Sequence, residues 1–217
     1  MDRENVLKVN EIFYSIQGES TYAGLPCVFV RLTYCNLRCN YCDTEYAFYE
    51  GQEMSIEQIV QQVTGYRCRL VEVTGGEPLI QPAVYPLLKQ LADNGFEVLL
   101  ETGGHMDISQ VDPRVKRIVD VKCPSSGEAK KMHWPNLKVL KADDQVKFVI
   151  GDRIDFDYAV NVVEEYKLTE RCSVLFSPVF GRLKNMTLAE WILASGLPVR
   201  MQIQLHKYIW PPEQRGV

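Results

Sequence analysis

The chain has 217 residues, of which 46% are hydrophobic and 24% charged, as expected for one globular domain with a buried core. The net charge of −4 argues against a broad basic surface for nucleic acid. The charged N-terminal stretch MDRENVLKVNEIF lacks the apolar run of a secretory signal, and no apolar run of about eighteen residues predicts a membrane span. We therefore expect a single domain over residues 1–217, located in the cytoplasm, where the seven cysteines are reduced thiols or metal ligands.

Apolar, β-branched runs alternate with amphipathic stretches along the whole chain. In the first half, this pattern predicts strands at 27–34, 69–76 and 96–102, with helices at 55–66 and 83–95. In the second half, it predicts strands at 117–123, 144–151, 172–179 and 198–206, with helices at 152–168 and 187–196. Ser55 and Gln58 have the spacing of a capping box, and Gly95 is placed to end the second helix.

Strands separated by helices indicate an α/β fold with parallel strands and right-handed crossovers. The pattern predicts about six βα units, fewer than the eight of a closed barrel. A partial (β/α) barrel and a doubly wound sheet both agree with this count. In either fold, the loops at the carboxyl ends of the strands carry the chemistry.

Four unusual stretches directly follow predicted strands: CNLRCNYCDT (35–44), TGGEP (74–78), ETGG (101–104) and DVKCPSSG (120–127). Because parallel strands end at the same edge of a sheet, these stretches are expected to converge. This convergence predicts a functional site at that edge.

The first of these stretches places Cys35, Cys39 and Cys42 close together. Thiolates select zinc, copper(I) or an iron–sulfur cluster. A structural zinc site uses four closed ligands, and no second paired motif is present. A 4Fe–4S cluster held by only three thiolates would leave one iron free to bind another molecule. A zinc site completed from a distant residue, or a loop of three reduced thiols, are the alternatives.

The C-x-x-x-C-x-x-C pattern, with Tyr41 before its last cysteine, resembles the signature of the radical S-adenosylmethionine (SAM) enzymes. TGGEP resembles the second motif of that superfamily. Within it, the segments NEIFYSIQGES, PCVFVRL, CDT, TGGEP, LETGG and QLHKYIW occur in an order similar to that of the 7-carboxy-7-deazaguanine synthase family. The similar segments extend from residue 10 to residue 210.

This resemblance implies a lyase of queuosine or deazapurine biosynthesis. Such enzymes convert 6-carboxy-5,6,7,8-tetrahydropterin to 7-carboxy-7-deazaguanine with loss of ammonia, and SAM is regenerated. The implied cofactors are a 4Fe–4S cluster, SAM and Mg²⁺. The implied partners are a second copy of the chain and an electron donor such as flavodoxin or ferredoxin, with no nucleic acid and no membrane.

The resemblance also assigns roles to individual residues. The cluster ligands are Cys35, Cys39 and Cys42, and the magnesium ligand is Thr44. The cofactor-binding residues are Tyr41, Asp43, Gly76, Glu77, Asp120, Lys122 and Ser125. The substrate-binding residues are Ile16, Gln17, Gly18, Arg31 and Thr74. No catalytic acid or base is assigned.

Each of these residues also has a purely structural interpretation. Thr44 resembles a hydroxyl that caps a turn, and residues 17–20 have ordinary turn composition. Arg31 fits an alternating strand with one side chain in solvent, although a buried guanidinium would need an anion. Two other functions also remain open: an activase that installs a glycyl radical on a partner protein, and a non-catalytic iron–sulfur or zinc module.

Overall fold

A computed structural model describes residues 5–217; residues 1–4, the start of the stretch considered above for a secretory signal, lie outside it. The strands in the described part of the chain are β1 (Val6–Ile16), β2 (Pro26–Leu32), β3 (Gln52–Ser55), β4 (Leu70–Gly75), β5 (Glu97–Thr102), β6 (Lys116–Asp120), β7 (Gln145–Ile150), β8 (Ser173–Pro178) and β9 (Arg200–Met201). The α-helices there are α1 (Ile56–Gly65), α2 (Val84–Asp93), α3 (Arg153–Glu165), α4 (Asn185–Ser195) and α5 (His206–Ile209).

Within residues 5–217, the strands form one sheet in the order β3-β1-β2-β4-β5-β6-β7-β8-β9. From β2 to β9 every neighbouring pair is parallel, whereas β1 is antiparallel to both β2 and β3. The parallel strands follow one another in chain order, without the reversal that defines a doubly wound sheet. The α/β class and the partial barrel are confirmed, and the doubly wound alternative is wrong.

Hydrogen bonds other than strand pairing join the loop after β1 to the segment after β9. The Ser20 N–H donates to Gln202 Oε1 at 2.8 Å, and the Leu205 N–H donates to Gly18 O at 2.9 Å. The sheet itself stays open, because β3 and β9 do not pair with each other in the described chain. We call this junction the seam of the barrel.

Local sequence signals explain where the helices begin. Ser55 Oγ accepts the Gln58 N–H at 3.3 Å, and Gln58 Oε1 accepts the Ser55 N–H at 2.8 Å, which confirms the predicted capping box. Asp152 caps α3 by accepting the Asp155 N–H at 3.0 Å. None of the helices in the described part of the chain has both the length and the apolar character that a bilayer crossing requires.

Three features differ from the predicted pattern. The strand predicted at 198–206 is wrong except at two residues. Only Arg200–Met201 pairs with β8, and α5 begins shortly afterwards. Strands β1 and β3 were not predicted. The crossovers from β5 to β6 and from β6 to β7 contain short 3₁₀ turns or loop in the described structure instead of α-helices, so there are fewer complete βα units than the expected six or so.

The two faces of the sheet are packed differently. The outer face and the helices enclose the main apolar core. The inner face carries a smaller apolar cluster at the amino ends of the strands, formed by Phe13, Cys27, Phe29, Leu70, Leu99 and Ile118. Toward the carboxyl ends the inward positions become polar, with Glu72 and Thr74 on β4 and Lys147 on β7. The apolar cluster therefore forms the floor of a polar interior.

Candidate functional site

A cavity of about 480 Å³ opens at the carboxyl ends of the parallel strands. Its lining includes most of the residues that the sequence assigns to a site: Ile16, Gln17, Gly18, Arg31, Cys35, Cys39, Tyr41, Cys42, Asp43, Thr44, Thr74, Gly76, Asp120 and Lys122. The predicted convergence of the strand-end stretches is therefore present in the structure. Being in the lining does not establish the role of any one residue, so the roles stay predictions.

The cysteine loop follows β2 and presents all three of its thiols to the cavity. Cys35, Cys39 and Cys42 are half-buried and free, and Cys35 Sγ accepts the Leu37 N–H at 3.4 Å. Burial raises the pKa of Cys35, and it raises that of Cys39 to about 11, so without a metal both are neutral thiols. Among residues 5–217, no three Cys, His, Asp or Glu side chains are already grouped as metal ligands.

The donor set nevertheless fits a three-cysteine cluster. None of the other cysteines in the described chain lines the cavity, and Cys27 and Cys123 are fully buried elsewhere. Thiolates are the soft ligands that iron–sulfur clusters require. The missing fourth thiol agrees with a cluster that keeps one iron open.

Two glycines hold the end of β4 directly against the cysteine loop. A Cβ on Gly76 would lie 2.2 Å from Tyr34 O and 2.9 Å from Cys35 Cβ, closer than atoms can approach. Gly75 has φ +149°, and a Cβ there would lie 2.2 Å from Leu32 O. The Glu77 N–H donates to Tyr34 O at 2.7 Å. The TGGEP stretch therefore positions the loop as well as lining the cavity.

Arg31 is buried on the inner side of β2, with 15% of its side chain exposed. Its Nε donates to Glu11 Oε1 at 2.8 Å, and the Tyr46 hydroxyl donates to the same oxygen at 3.1 Å. The interpretation of Arg31 as a solvent-facing side chain is therefore wrong. No Nη hydrogen bond to a described residue occupies the outer edge of its guanidinium, which faces the cavity. That edge can bind a carboxylate through two parallel hydrogen bonds.

Asp43 links the cysteine loop to the C-terminal segment. Its Oδ2 accepts from Lys207 Nζ at 2.7 Å and from Gln204 Nε2 at 3.0 Å. Although burial opposes the charge, the Lys207 ammonium and the Gln204 amide lower the pKa of Asp43 to about 2. Asp43 is thus a permanent anion near neutral pH, and its charge is already paired.

Two predicted cofactor residues lie outside the cavity lining. Glu77 is fully buried and accepts hydrogen bonds from Thr102 Oγ1 at 2.8 Å and from the Gly103 N–H at 2.8 Å. Ser125 donates its N–H to Asp155 Oδ1 at 2.8 Å, and its hydroxyl also bonds Asp155. Both side chains are engaged in holding loops together, so a direct cofactor contact through them does not follow from this geometry.

Comparisons with known proteins agree with the cysteine loop and the fold. The model of the Radical SAM superfamily matches residues 30–181. An enzyme named 7-carboxy-7-deazaguanine synthase from Chlorobaculum tepidum is 46% identical over 100% of both chains. Another from Koribacter versatilis is 43% identical, covering 97% of this chain and 100% of its own. The chain belongs to the 7-carboxy-7-deazaguanine synthase family.

Solved structures agree with the fold of this synthase family. The crystal structure of QueE from Escherichia coli matches with a TM-score of 0.79 at 22% identity, covering 93% of this chain and 95% of the other. An archaeal TYW1 structure matches with a TM-score of 0.58 at 14% identity, covering 77% of this chain and 70% of the other. The named relatives favour the synthase family over the glycyl-radical activase and over the non-catalytic module.

As a radical SAM enzyme, a member of the synthase family uses a 4Fe–4S cluster and SAM. Held by Cys35, Cys39 and Cys42, the cluster would supply the electron for reductive cleavage of SAM and hence the radical chemistry of the superfamily. The chain's own contribution is to supply three thiols at one wall of the cavity and a charged interior opposite them.

That interior contains a cluster of charges in which Asp120 and Lys122 were predicted from the sequence, whereas Lys147 and Glu101 were not. Lys147 Nζ is 2.9 Å from Glu19 Oε2, bonds Glu101, and lies 3.9 Å from Asp120 Oδ2. The neighbouring Lys122 pairs with Asp120 at 2.6 Å. Despite burial, the surrounding carboxylates raise the pKa of Lys147 well above its usual value. Each lysine therefore stays charged and fixes the carboxylates in the synthase interior.

Proposed function

We propose that the chain converts 6-carboxy-5,6,7,8-tetrahydropterin to 7-carboxy-7-deazaguanine with loss of ammonia, as a carbon–nitrogen lyase of deazapurine and queuosine biosynthesis. One observation carries this proposal: a single cavity joins the cysteine loop to a buried arginine with an open guanidinium edge. A radical formed at the cysteines would act on a small carboxylated substrate held in the same space. Relatives named 7-carboxy-7-deazaguanine synthase support the choice of that substrate.

Cys35, Cys39 and Cys42 would hold the cluster, and SAM would occupy its open iron. Tyr41 lies within the cysteine loop and Gly76 packs against its start, so both would line the cavity beside SAM. The Lys122–Asp120 pair at the end of β6 offers both a cation and an acceptor for the polar groups of SAM. Among these residues, Lys122 suits the SAM carboxylate because it keeps its charge when buried.

Arg31 would bind the substrate carboxylate through its free edge. Thr74 faces the cavity from the end of β4, where its hydroxyl donates to Glu101 Oε2 at 3.1 Å. Ile16, Gln17 and Gly18 line the same cavity from the end of β1 and the loop after it. The stacked rings of Phe13 and Phe29 lie beneath Arg31 and close the floor against water.

Thr44 would contribute one oxygen ligand to Mg²⁺, and the substrate carboxylate would contribute another. The Thr44 hydroxyl faces the cavity and has only a 3.8 Å contact with Cys42 Sγ among the described residues. Magnesium retains waters and accepts few protein ligands, so one hydroxyl in the same cavity as Arg31 agrees with such a site. The Thr44 main-chain carbonyl accepts the Ala47 N–H at 2.9 Å and begins the 3₁₀ turn, whereas its hydroxyl makes no capping hydrogen bond, unlike the turn-capping interpretation.

The proposal also includes the oligomeric state, the electron donor and the cellular compartment. The chain would act as a single radical SAM domain and as a homodimer, reduced by flavodoxin or ferredoxin in the cytoplasm. Met186 and Leu193 on α4 are 68% and 81% exposed, which supports burial of this face by a second copy. Seven cysteines without a disulfide in the described chain agree with a reducing compartment.

Anaerobic turnover tests the proposed reaction. The chain is reconstituted with iron and sulfide, then given dithionite, SAM, Mg²⁺ and 6-carboxytetrahydropterin, and the product is followed by mass spectrometry. Cys39→Ala should abolish product and 5′-deoxyadenosine, whereas Cys172→Ala, at a half-buried cysteine outside the cavity, should leave both intact. Formation of 5′-deoxyadenosine without the deazaguanine product would contradict the substrate assignment. Omitting Mg²⁺ from the same assay tests whether turnover requires the metal.

A further inference from the structure

Glu72 is a buried carboxyl group that the roles above do not use. It lies on the inner face of β4, opposite Phe29 of β2 and two residues before Thr74. Only 3% of the residue is exposed, yet it lines the cavity. The described residues give it one hydrogen bond and no ion pair, because Lys147 is engaged by Glu19, Glu101 and Asp120. An ionised carboxylate in this position would be costly.

The neighbouring Gln17 determines which oxygen of Glu72 can carry a proton. Gln17 Oε1 accepts the Glu19 N–H at 3.0 Å, which turns the amide nitrogen toward Glu72. Gln17 Nε2 then donates to Glu72 Oε2 at 2.6 Å, so Oε2 is an acceptor. Oε1 has no protein partner among the described residues and is not sealed off in the core. The proton of a neutral Glu72 therefore lies on Oε1, at the cavity surface.

The surrounding charges keep Glu72 neutral. Burial raises its pKa well above the usual range, and the nearby carboxylates of Glu101 and Glu19 raise it further. The ammonium of Lys147 and the Gln17 amide act in the opposite direction without reversing the shift. Cys27, beneath Glu72 on β2, is a neutral thiol because burial raises its pKa. Glu72 is therefore an acid with one O–H donor near neutral pH.

We propose that Glu72 is a substrate-recognition residue that donates a hydrogen bond from Oε1 to the C4 carbonyl oxygen of the pterin ring. This inference rests on the proposed function, because it takes a pterin as the ligand. A pyrimidinone ring presents one strong carbonyl acceptor beside ring donors, and a fixed O–H donor complements that acceptor. The Gln17 side chain then acts by positioning Glu72 rather than by reading the ring itself.

Two pteridine carboxylates that differ at C4 provide the test. Oxidised 6-carboxypterin carries a carbonyl acceptor at C4, whereas 2,4-diaminopteridine-6-carboxylate carries an amino donor there. Affinities are measured by titration calorimetry on the reconstituted enzyme with SAM and Mg²⁺. The parent chain should bind the carbonyl compound about ten- to a hundredfold more tightly, because the mismatched donor leaves a buried polar group unpaired.

Two variants separate hydrogen bonding from folding and from proton transfer. Glu72→Gln keeps an acceptor for Gln17 and a donor toward the cavity, so it should retain the preference and most of the turnover. Glu72→Ala removes the donor and should lose the preference. Melting temperatures of both variants report on folding, and Glu72→Gln tests the inference even if Glu72→Ala does not fold.

Three results would overturn the inference while leaving the proposed function standing. The first is tighter binding of the diamino compound by the parent, which requires an ionised Glu72. The second is an unchanged preference in Glu72→Ala. The third is normal binding but lost turnover in Glu72→Gln, which identifies a proton donor instead. A parent chain that binds neither compound and forms no deazaguanine contradicts the proposed function itself.

Discussion

Lys147 is the cation on which the polar interior depends, and Lys147→Met removes its charge while keeping much of its volume. The side chain is 7% exposed and bonds Glu19 and Glu101, with Asp120 nearby. Removing one partner of a buried ion pair costs about 3 to 5 kcal/mol. Because Glu19 and Glu101 are 19% and 26% exposed, we expect the lower end, about 3 kcal/mol. Urea unfolding at pH 7, followed by circular dichroism, should show a midpoint lowered by about 1 M.

The same variant should show a dependence on pH. In the parent chain, Lys147 lowers the pKa of Glu19 despite burial, so the stability that Glu19 contributes is present above its unfolded pKa and is lost as the pH falls. In Lys147→Met, only the Gln204 hydrogen bond and His206 still oppose burial, so the balance for Glu19 moves toward the protonated form. The difference in unfolding free energy between the two proteins should therefore narrow from pH 7 to pH 4.

Lys116→Met provides the matched control. Lys116, at the amino end of β6 next to β7, pairs with Glu97 at the amino end of β5, and the two side chains are 26% and 45% exposed. An exposed pair of this kind contributes at most about 1 kcal/mol. The reasoning is refuted if Lys147→Met destabilises the chain no more than Lys116→Met, or if its effect is the same at pH 4 and pH 7.

Three further substitutions test the cavity. Gly76→Ala places a Cβ 2.2 Å from Tyr34 O and should lower the iron bound after reconstitution at least twofold. The control Gly65→Ala meets nothing within 4 Å and should bind as much iron as the parent. Equal iron content in the two variants, measured by colorimetric analysis, would contradict the packing argument. Arg31→Lys loses the forked donors and should raise KM for the pterin about tenfold in steady-state assays; an unchanged KM would remove the carboxylate contact. Asp43→Asn should lower kcat/KM about tenfold with normal iron content, because the cysteine loop loses its ion pair with Lys207. Unchanged kinetics would show that this ion pair is dispensable.

Much of the sheet could be predicted because its parallel strands are apolar runs, largely buried on both faces. The apolar runs that became β2, β4, β5, β7 and β8 are typical of such strands. By contrast, β1 mixes charged and apolar side chains, contains a bulge between Val9 and Glu11, and pairs antiparallel to its neighbours. β9 was predicted too long because only two of its residues find a partner along β8. Pairing of that kind depends on distant segments that local patterns do not encode.

At the site, too, some residues could be predicted from the sequence and others could not. The cysteines and glycines have distinctive spacing, so their loops could be predicted to converge. Glu72, Glu101 and Lys147 could not be identified, because a single charged residue in an apolar strand usually faces solvent. Here the sheet curves around its inner face, and these side chains point into the interior. The signal in the sequence was a charged residue within three residues of the carboxyl end of each of β4, β5 and β7, which simple alternation obscured.

The seam between Gly18 and Leu205 determines how the barrel wall is joined. Separate hydrogen bonds hold it, among them Ser20 to Gln202, Leu205 to Gly18 and Gln204 to Glu19, whereas strand pairing holds the rest of the wall. Each such bond contributes only about 1 kcal/mol net, so the wall can part here without unpairing any strand. Gly18 and His206 are both cavity-lining residues, which places the seam directly beside the cavity. Where the barrel wall borders the cavity here, isolated hydrogen bonds therefore join it in place of a strand ladder.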